Sequence, residues 1–126
     1  MVAAYNDVYD GFNFNGYGKG QVLVDVPQGW RVNVRCSNNS SSMRHSCAVV
    51  RGVSGRTPAF PGAASPDPAG GLPPHQQAVF SFRAARIGTY RIVCLVPGHE
   101  QAGMWDVLDV TRDRAPAAVL LRKPGV

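Results

Sequence analysis

The stretch Tyr90–Val110, YRIVCLVPGHEQAGMWDVLDV, constrains this chain more than any other. It opens as an apolar strand, breaks at Pro97-Gly98 and resumes as a second apolar strand. Inside the break stand a thiol, an imidazole and a thioether: Cys94, His99 and Met104, spaced C-x4-H-x4-M. A link between two neighbouring strands needs only about two to five residues. This one uses the nine residues 95–103, with sulfur donors at its two ends and an imidazole in the middle. Taken singly, each residue has a commoner explanation, since Cys is often a small buried hydrophobe and Met often fills core gaps. Taken together they form the donor set of a soft-ligand metal site, for which copper is the first candidate.

Such a site needs a second imidazole from elsewhere, and His45 and His75 compete for the position. His75 follows Pro73-Pro74, a setting with no fixed direction. His45 opens the run HSCAVV, which reads as a strand. With a period of two, His45, Cys47 and Val49 share one face, toward the core, and the reading favours His45.

The rest of the chain is a series of short strands. Phe12–Asn15 alternates apolar and polar, residues 16–20 turn, and Gln21–Val26 is β-branched and ends at Pro27-Gln28-Gly29. Trp30–Cys36 alternates, placing Trp30, Val32, Val34 and Cys36 on a core face and Arg31, Asn33 and Arg35 in water. The polar loop Ser37–Ser42 holds two nominal glycosylation acceptors, at Asn38 and Asn39, of weak specificity. Val53–Pro74, dense in Gly, Pro, Ala and Ser, reads as a surface flap crossing from one sheet to the other. Gln77–Phe82, Thr89–Cys94 and Met104–Val110 complete the strands. Residues 1–11 read as an irregular lead-in, and the basic tail 112–126 ends in an edge strand or lies loose. The 14 Gly and 10 Pro follow no period, which means many turns. Seven to eight short strands without an amphipathic helix read as an all-β sandwich, one domain over 1–126 with its core at about 12–111.

A net charge of +5, from eleven Arg and two Lys against eight carboxylates, raises nucleic-acid binding first. The arginines are scattered singly and no nucleic-acid motif accompanies them, so the charge reads as a basic surface that steers toward an acidic protein partner. No apolar run approaches the roughly 20 residues that span a bilayer. No signal-peptide pattern follows Met1, so the chain reads as a mature or trimmed form of something exported or anchored. An enzyme is disfavoured. Cys94 and His99 lack an oxyanion-hole motif, and Glu100 and Asp106 read as solvated flanking groups. A second, catalytic copper would need more histidines than the one left over, His75, and a binuclear centre would need a second Cys within 95–103.

The run GTYRIVCLVPGHEQAGMW, the upstream GW-x-V-x-V strand and the His heading an apolar strand resemble the cupredoxins, the small type 1 blue copper proteins. Within that group the chain is most similar to sulfocyanins, with rusticyanin and auracyanin nearby, over about residues 12–111. The resemblance implies a Greek-key β-sandwich and one type 1 copper, with His45, Cys94 and His99 as strong ligands and Met104 as the weak axial one. It implies a one-electron shuttle rather than an enzyme, working outside the cytoplasm, in a periplasm or on the outer face of the cell membrane. The partners it implies are a cytochrome or a terminal oxidase with an acidic docking surface, the shuttle itself being a monomer. A copper carrier or store that never cycles redox is the alternative. Met43, Pro97, Ala102 and Met104 are the candidate apolar rim around His99. The sequence departs from the pattern at Ser46, where sulfocyanins carry Asn; Ser46 is expected to tie the two ligand segments by hydrogen bonds. It also departs at Cys36 and Cys47, which face inward by strand parity and either pair as a disulfide or stay buried thiols.

Overall fold

Alternation of apolar and polar residues becomes two sheets packed face to face in the computed structural model, which describes residues 1–52, 55–112 and 114–121. The strands are β1 (Val2–Ala3), β2 (Val22–Pro27), β3 (Arg31–Asn38), β4 (Ala48–Arg51), β5 (Gln77–Arg83), β6 (Gly88–Val93), β7 (Trp105–Thr111) and β8 (Ala117–Leu120). A short 3-10 turn, Val8–Gly11, lies between β1 and β2. One sheet has the order β1-β3-β5 and the other β4-β6-β7-β2-β8. β1 lies parallel to β3 and β2 parallel to β7, and the remaining pairs are antiparallel. The all-β sandwich is therefore as expected, with eight strands among the described residues.

The main core lies between the sheets and includes Phe14, Val49, Phe80, Phe82, Tyr90, Ile92, Cys94, Met104 and Leu108. A second, smaller cluster of Ala48, Val50, Val93 and Leu95 sits on the other face of β4 and β6, against Ala64 and Trp105. β4 thus buries residues of both parities, Ala48 and Val50 as well as Val49. The segment between β4 and β5 makes this possible. It crosses between the sheets, but it is not merely a surface flap. It bridges β4 at Val50↔Pro58 and Ala48↔Ala64, and Phe60 stacks on Phe82 with ring centroids 5.5 Å apart. Val53 of that segment, and Arg122 and Lys123 of the tail, lie outside the described residues.

Four strand expectations are corrected. Phe12–Asn15 forms no strand: Phe14 makes single bridges to Ala3 and Tyr17, closing a tight turn. The lead-in, expected to be irregular, holds β1; of the two alternatives for the tail, the edge strand is the one formed, as β8 beside β2. His45 does not head a strand. It forms an isolated bridge with Leu72, and the regular ladder begins at Ala48. Trp30 precedes β3 and is 51% exposed, because the turn at Gly29 lifts it off the core face.

Cys36 at the inner face of β3 and Cys47 before β4 are joined by a disulfide that links the two sheets. Its partners are 11 residues apart. On the chain-entropy account a loop of that size is worth about 3 kcal/mol. Urea unfolding of the metal-free protein with and without reductant should differ by about that amount. The unreduced, alkylated protein should carry a single alkyl group, at Cys94. Equal midpoints, or three alkylations, would contradict the pairing.

Candidate metal centre

Three chain segments meet at one end of the sandwich. β6 ends at Val93, and Cys94 follows it directly; its N–H donates to the Met104 carbonyl at 3.2 Å, closing the base of the loop. Within the loop, His99 N–H donates to Val96 O (3.1 Å) and Met104 N–H to His99 O (3.1 Å), so the turn at Pro97-Gly98 folds the imidazole back over the base. His45 comes from the other segment, fixed by its two backbone bonds with Leu72.

Three of the sequence-selected donors, His45, Cys94 and His99, converge. His45 Nδ1 and His99 Nδ1 lie 3.1 Å apart, and Cys94 Sγ is 3.4 Å from His99 Nδ1 and 3.9 Å from His45 Nδ1. For a first-row ion at the centre of such a triangle, metal–donor lengths of about 2.0 Å to nitrogen and 2.3 Å to sulfur give edges of roughly 3.5 and 3.8 Å. The two nitrogen–sulfur edges bracket the second value and the nitrogen–nitrogen edge falls about 0.4 Å short of the first, so the triangle is close to the size that holds one metal ion. Two imidazoles, a thiol and the thioether of Met104, fully buried in the same core cluster as Cys94, are a donor chemistry that suits copper. Among the described residues this is the one group of three or more His, Cys or carboxylate donors close enough to share a metal. His75 is exposed and outside it.

Ser46 stands between the two segments. Its hydroxyl accepts from Leu95 N–H at 2.9 Å and its own O–H is directed at Cys94 Sγ, 3.8 Å away. Its backbone N–H also donates to that sulfur at 3.3 Å. Burial pushes the Cys94 thiol pKa up, opposed by hydrogen bonds from the N–H groups of Ser46 and Val96 and from the Ser46 hydroxyl. Burial lowers the pKa of both imidazoles. His45, next to His99 as well, is brought down to about 4. The metal-free site is thus largely buried and uncharged near neutrality: two neutral imidazoles and a thiol.

Several contacts were not legible from the motif. Phe12, half-buried, sets its ring edge-on against His99 (4.9 Å) and His45 (6.3 Å), covering both ligand rings. Asn38 is buried and spreads its amide over the carbonyls of Met43 (2.8 Å), Leu72 (2.9 Å) and Pro73 (3.2 Å), holding the residue that pairs with His45. A buried, engaged amide is no glycosylation acceptor. Neither is the expected solvation of Glu100 and Asp106 what the fold gives. Glu100 is 8% exposed and pairs with Arg91 (3.1 Å), whose guanidinium lies 3.8 Å from the centroid of Trp105. Asp106 is 4% exposed and accepts from Val22 N–H, and burial raises its pKa to about 7. Met104, being buried, is not part of an outer rim; Met43, Pro97 and Ala102 retain exposure.

The Sulfocyanin (SoxE) domain model matches residues 1–67. No curated protein matches the chain significantly. Among solved structures, auracyanin from the photosynthetic bacterium Roseiflexus castenholzii superposes with a TM-score of 0.57 at 23% identity, over 79% of this chain and 90% of that one. The multicopper oxidase mgLAC gives 0.56 at 27% identity, over 82% of this chain and 32% of the oxidase. Rusticyanin from Thiobacillus ferrooxidans gives 0.53 at 26% identity, over 71% of this chain and 60% of that one. The chain therefore spans about a third of the oxidase's length and three fifths of rusticyanin's.

The lowered pKa of His45 has a sign that can be read. The unfolded chain binds a proton near pH 6.5 that the folded chain refuses until about pH 4, so this group costs stability as pH falls through that window. Asp106 acts oppositely: its neutral form stabilises the fold below its ordinary value of 3.8, and that contribution is lost as pH rises to about 7. Because the two oppose each other between pH 4 and 6.5, global unfolding reports them poorly. An NMR titration of the metal-free protein resolves them, with an expected His45 imidazole midpoint of about 4. A midpoint near 6.5 would contradict the buried, uncharged site.

Proposed function

Because the chain belongs to the sulfocyanin family of cupredoxins, we propose that His45, Cys94 and His99 hold its type 1 copper, with Met104 as the weak axial donor. On this reading the protein shuttles single electrons between respiratory redox proteins. The observation that carries the assignment is the triangle of two imidazole nitrogens and one thiol closed to 3.1–3.9 Å from segments 49 residues apart. When bound, copper supplies a one-electron Cu(II)/Cu(I) couple. The residues around it supply the rest.

Cys94 binds as thiolate, and its proton leaves to solvent on loading, whereas the imidazoles, already neutral, have none to give near neutrality. Ser46 N–H and O–H then point at the thiolate sulfur, withdraw charge from it and keep it in place. Phe12 and the core exclude water, so little solvent reorganises with the change of charge. Of the three strong donors only His99 keeps partial exposure, which makes its ring edge the port for electrons. Met43 and Pro97 are exposed on the two ligand-bearing segments and form the apolar ground beside it.

The partner is a cytochrome or terminal oxidase with an acidic face, matched by the net charge of +5. The disulfide supports a place outside the cytoplasm, in an oxidising compartment. Among the described residues no helix is long and apolar enough to cross a membrane. The chain carries electrons rather than catalysing a reaction.

Adding Cu(II) to the metal-free protein should produce an intense blue sulfur-to-copper band that ascorbate bleaches and an oxidant restores. Cys94→Ser should abolish it. Ser46→Ala should keep the band but shift the reduction potential, and should lower stability by about 1–3 kcal/mol through the orphaned Leu95 N–H. A colourless product sinks the assignment. A blue product that does not cycle would instead favour a copper store.

A further inference from the structure

We propose that the turn Gly16–Gly20, GYGKG, is a positioning element for the Met104 thioether, acting through the backbone on either side of it. The inference rests on the copper reading above. As a weak donor to copper the Met104 thioether would need its backbone held, since methionine has three rotatable bonds. The Met104 peptide is fixed within its own loop by Met104 N–H to His99 O and Cys94 N–H to Met104 O. Both flanking carbonyls are fixed from outside the loop. Lys19 N–H donates to Gly103 O at 2.9 Å and Gly20 N–H to Trp105 O at 3.0 Å. The turn therefore grips the chain one residue before and one residue after Met104.

The grip depends on glycine. A Cβ on Gly18 would fall well inside contact distance of the Gly103 carbonyl oxygen, and one on Gly20 would stand 2.8 Å from the Trp105 ring at a φ of +74°. The Lys19 side chain lies across Gly103, its Cε 3.0 Å and Cγ 3.2 Å from where a Cβ there would be, and its ammonium rests 4.4 Å from the Tyr9 ring centroid. Gln21, fully buried, shapes the turn: its Oε1 accepts from Gly18 N–H at 3.0 Å, and its own N–H donates to Gly18 O at 3.0 Å. A surface link between strands would need none of this. Glycine carries a conformational cost in the unfolded chain, and at Gly18 and Gly20 the close approach to Gly103 and Trp105 explains it.

The test uses the full chain, metal-free and copper-loaded, with Gly18→Ala, Lys19→Gly and the control Gly62→Ala. A Cβ on Gly62 also meets a backbone oxygen, Ser81 O at 2.7 Å, but that contact lies outside the ligand loop and the turn. Lys19 has a φ of +51°, which glycine accommodates, so Lys19→Gly keeps the fold and both backbone bonds and removes only the side chain across Gly103; if Gly18→Ala does not fold, unprotected Lys19 and Gly20 amides in the wild type would still overturn the grip. In the metal-free wild type the Lys19 and Gly20 amides should be protected from hydrogen exchange, and Gly18→Ala should lose at least about tenfold of that protection. In the copper-loaded protein Gly18→Ala should change the ratio of the two visible sulfur-to-copper bands. It should also move the oxidised-to-reduced equilibrium against a fixed redox buffer by about threefold or more, with a smaller change for Lys19→Gly. Gly62→Ala should leave ratio and equilibrium at wild-type values despite its loss of stability. Lost amide protection with an unchanged ratio and equilibrium, or an equal shift in Gly62→Ala, would overturn this role while the copper reading stands. A colourless wild type would overturn both.

Discussion

The structure depends on how the β4–β6 ladder ends. Its last regular pair is Ala48↔Val93, and continuing that register two residues on sets Ser46 opposite Leu95. There the backbone pairing stops and the Ser46 hydroxyl takes over, accepting the Leu95 N–H that a ladder carbonyl would otherwise have taken. The two strands can then part without leaving a buried donor unpaired, an omission that costs about 1–3 kcal/mol. Into the opened end go His45 from the segment before β4 and Cys94 from the residue after β6. The sheet brings together two residues remote in sequence, and the serine lets them turn toward each other.

Everything else around the centre keeps that opening rigid and largely buried. The disulfide holds Cys47, two residues past His45, to the opposite sheet. Asn38 and Leu72 fix the backbone of His45 from behind, and Phe12 closes over the rings. On the far shoulder of the ligand loop, Arg91 lies between Glu100 and Trp105, and the glycine turn grips Gly103 and Trp105. Burial then sets the charge state of the metal-free site: imidazole pKa values lowered and the thiol pKa raised, so all three donors favour their neutral forms.

The donors were legible because soft ligands at C-x4-H-x4-M spacing have few structural uses; His45 is buried as strand parity implied, although its bridge to Leu72 rather than a strand holds it there. The β-sandwich followed from alternation. What the sequence hid was of two kinds. Phe12–Asn15 alternates like a strand yet forms a tight turn, since pairing partners rather than periodicity decide which alternating run becomes a strand. Asn38 and Glu100 are residue types that usually face water, and only tertiary contacts make them buried props of the site. The GYGKG turn likewise carries no outward mark of what it touches. Its glycines signal close approach without naming the neighbour.

The central claim is that one copper sits among His45, Cys94 and His99 and that the same residues serve both oxidation states. X-ray absorption at the copper edge of the loaded protein, oxidised and then reduced, tests this most directly. The account predicts one copper per chain with two imidazole nitrogens and one short sulfur, the same donor set in both states. A shell of nitrogen and oxygen alone, or a loss of the short sulfur on reduction, would contradict it.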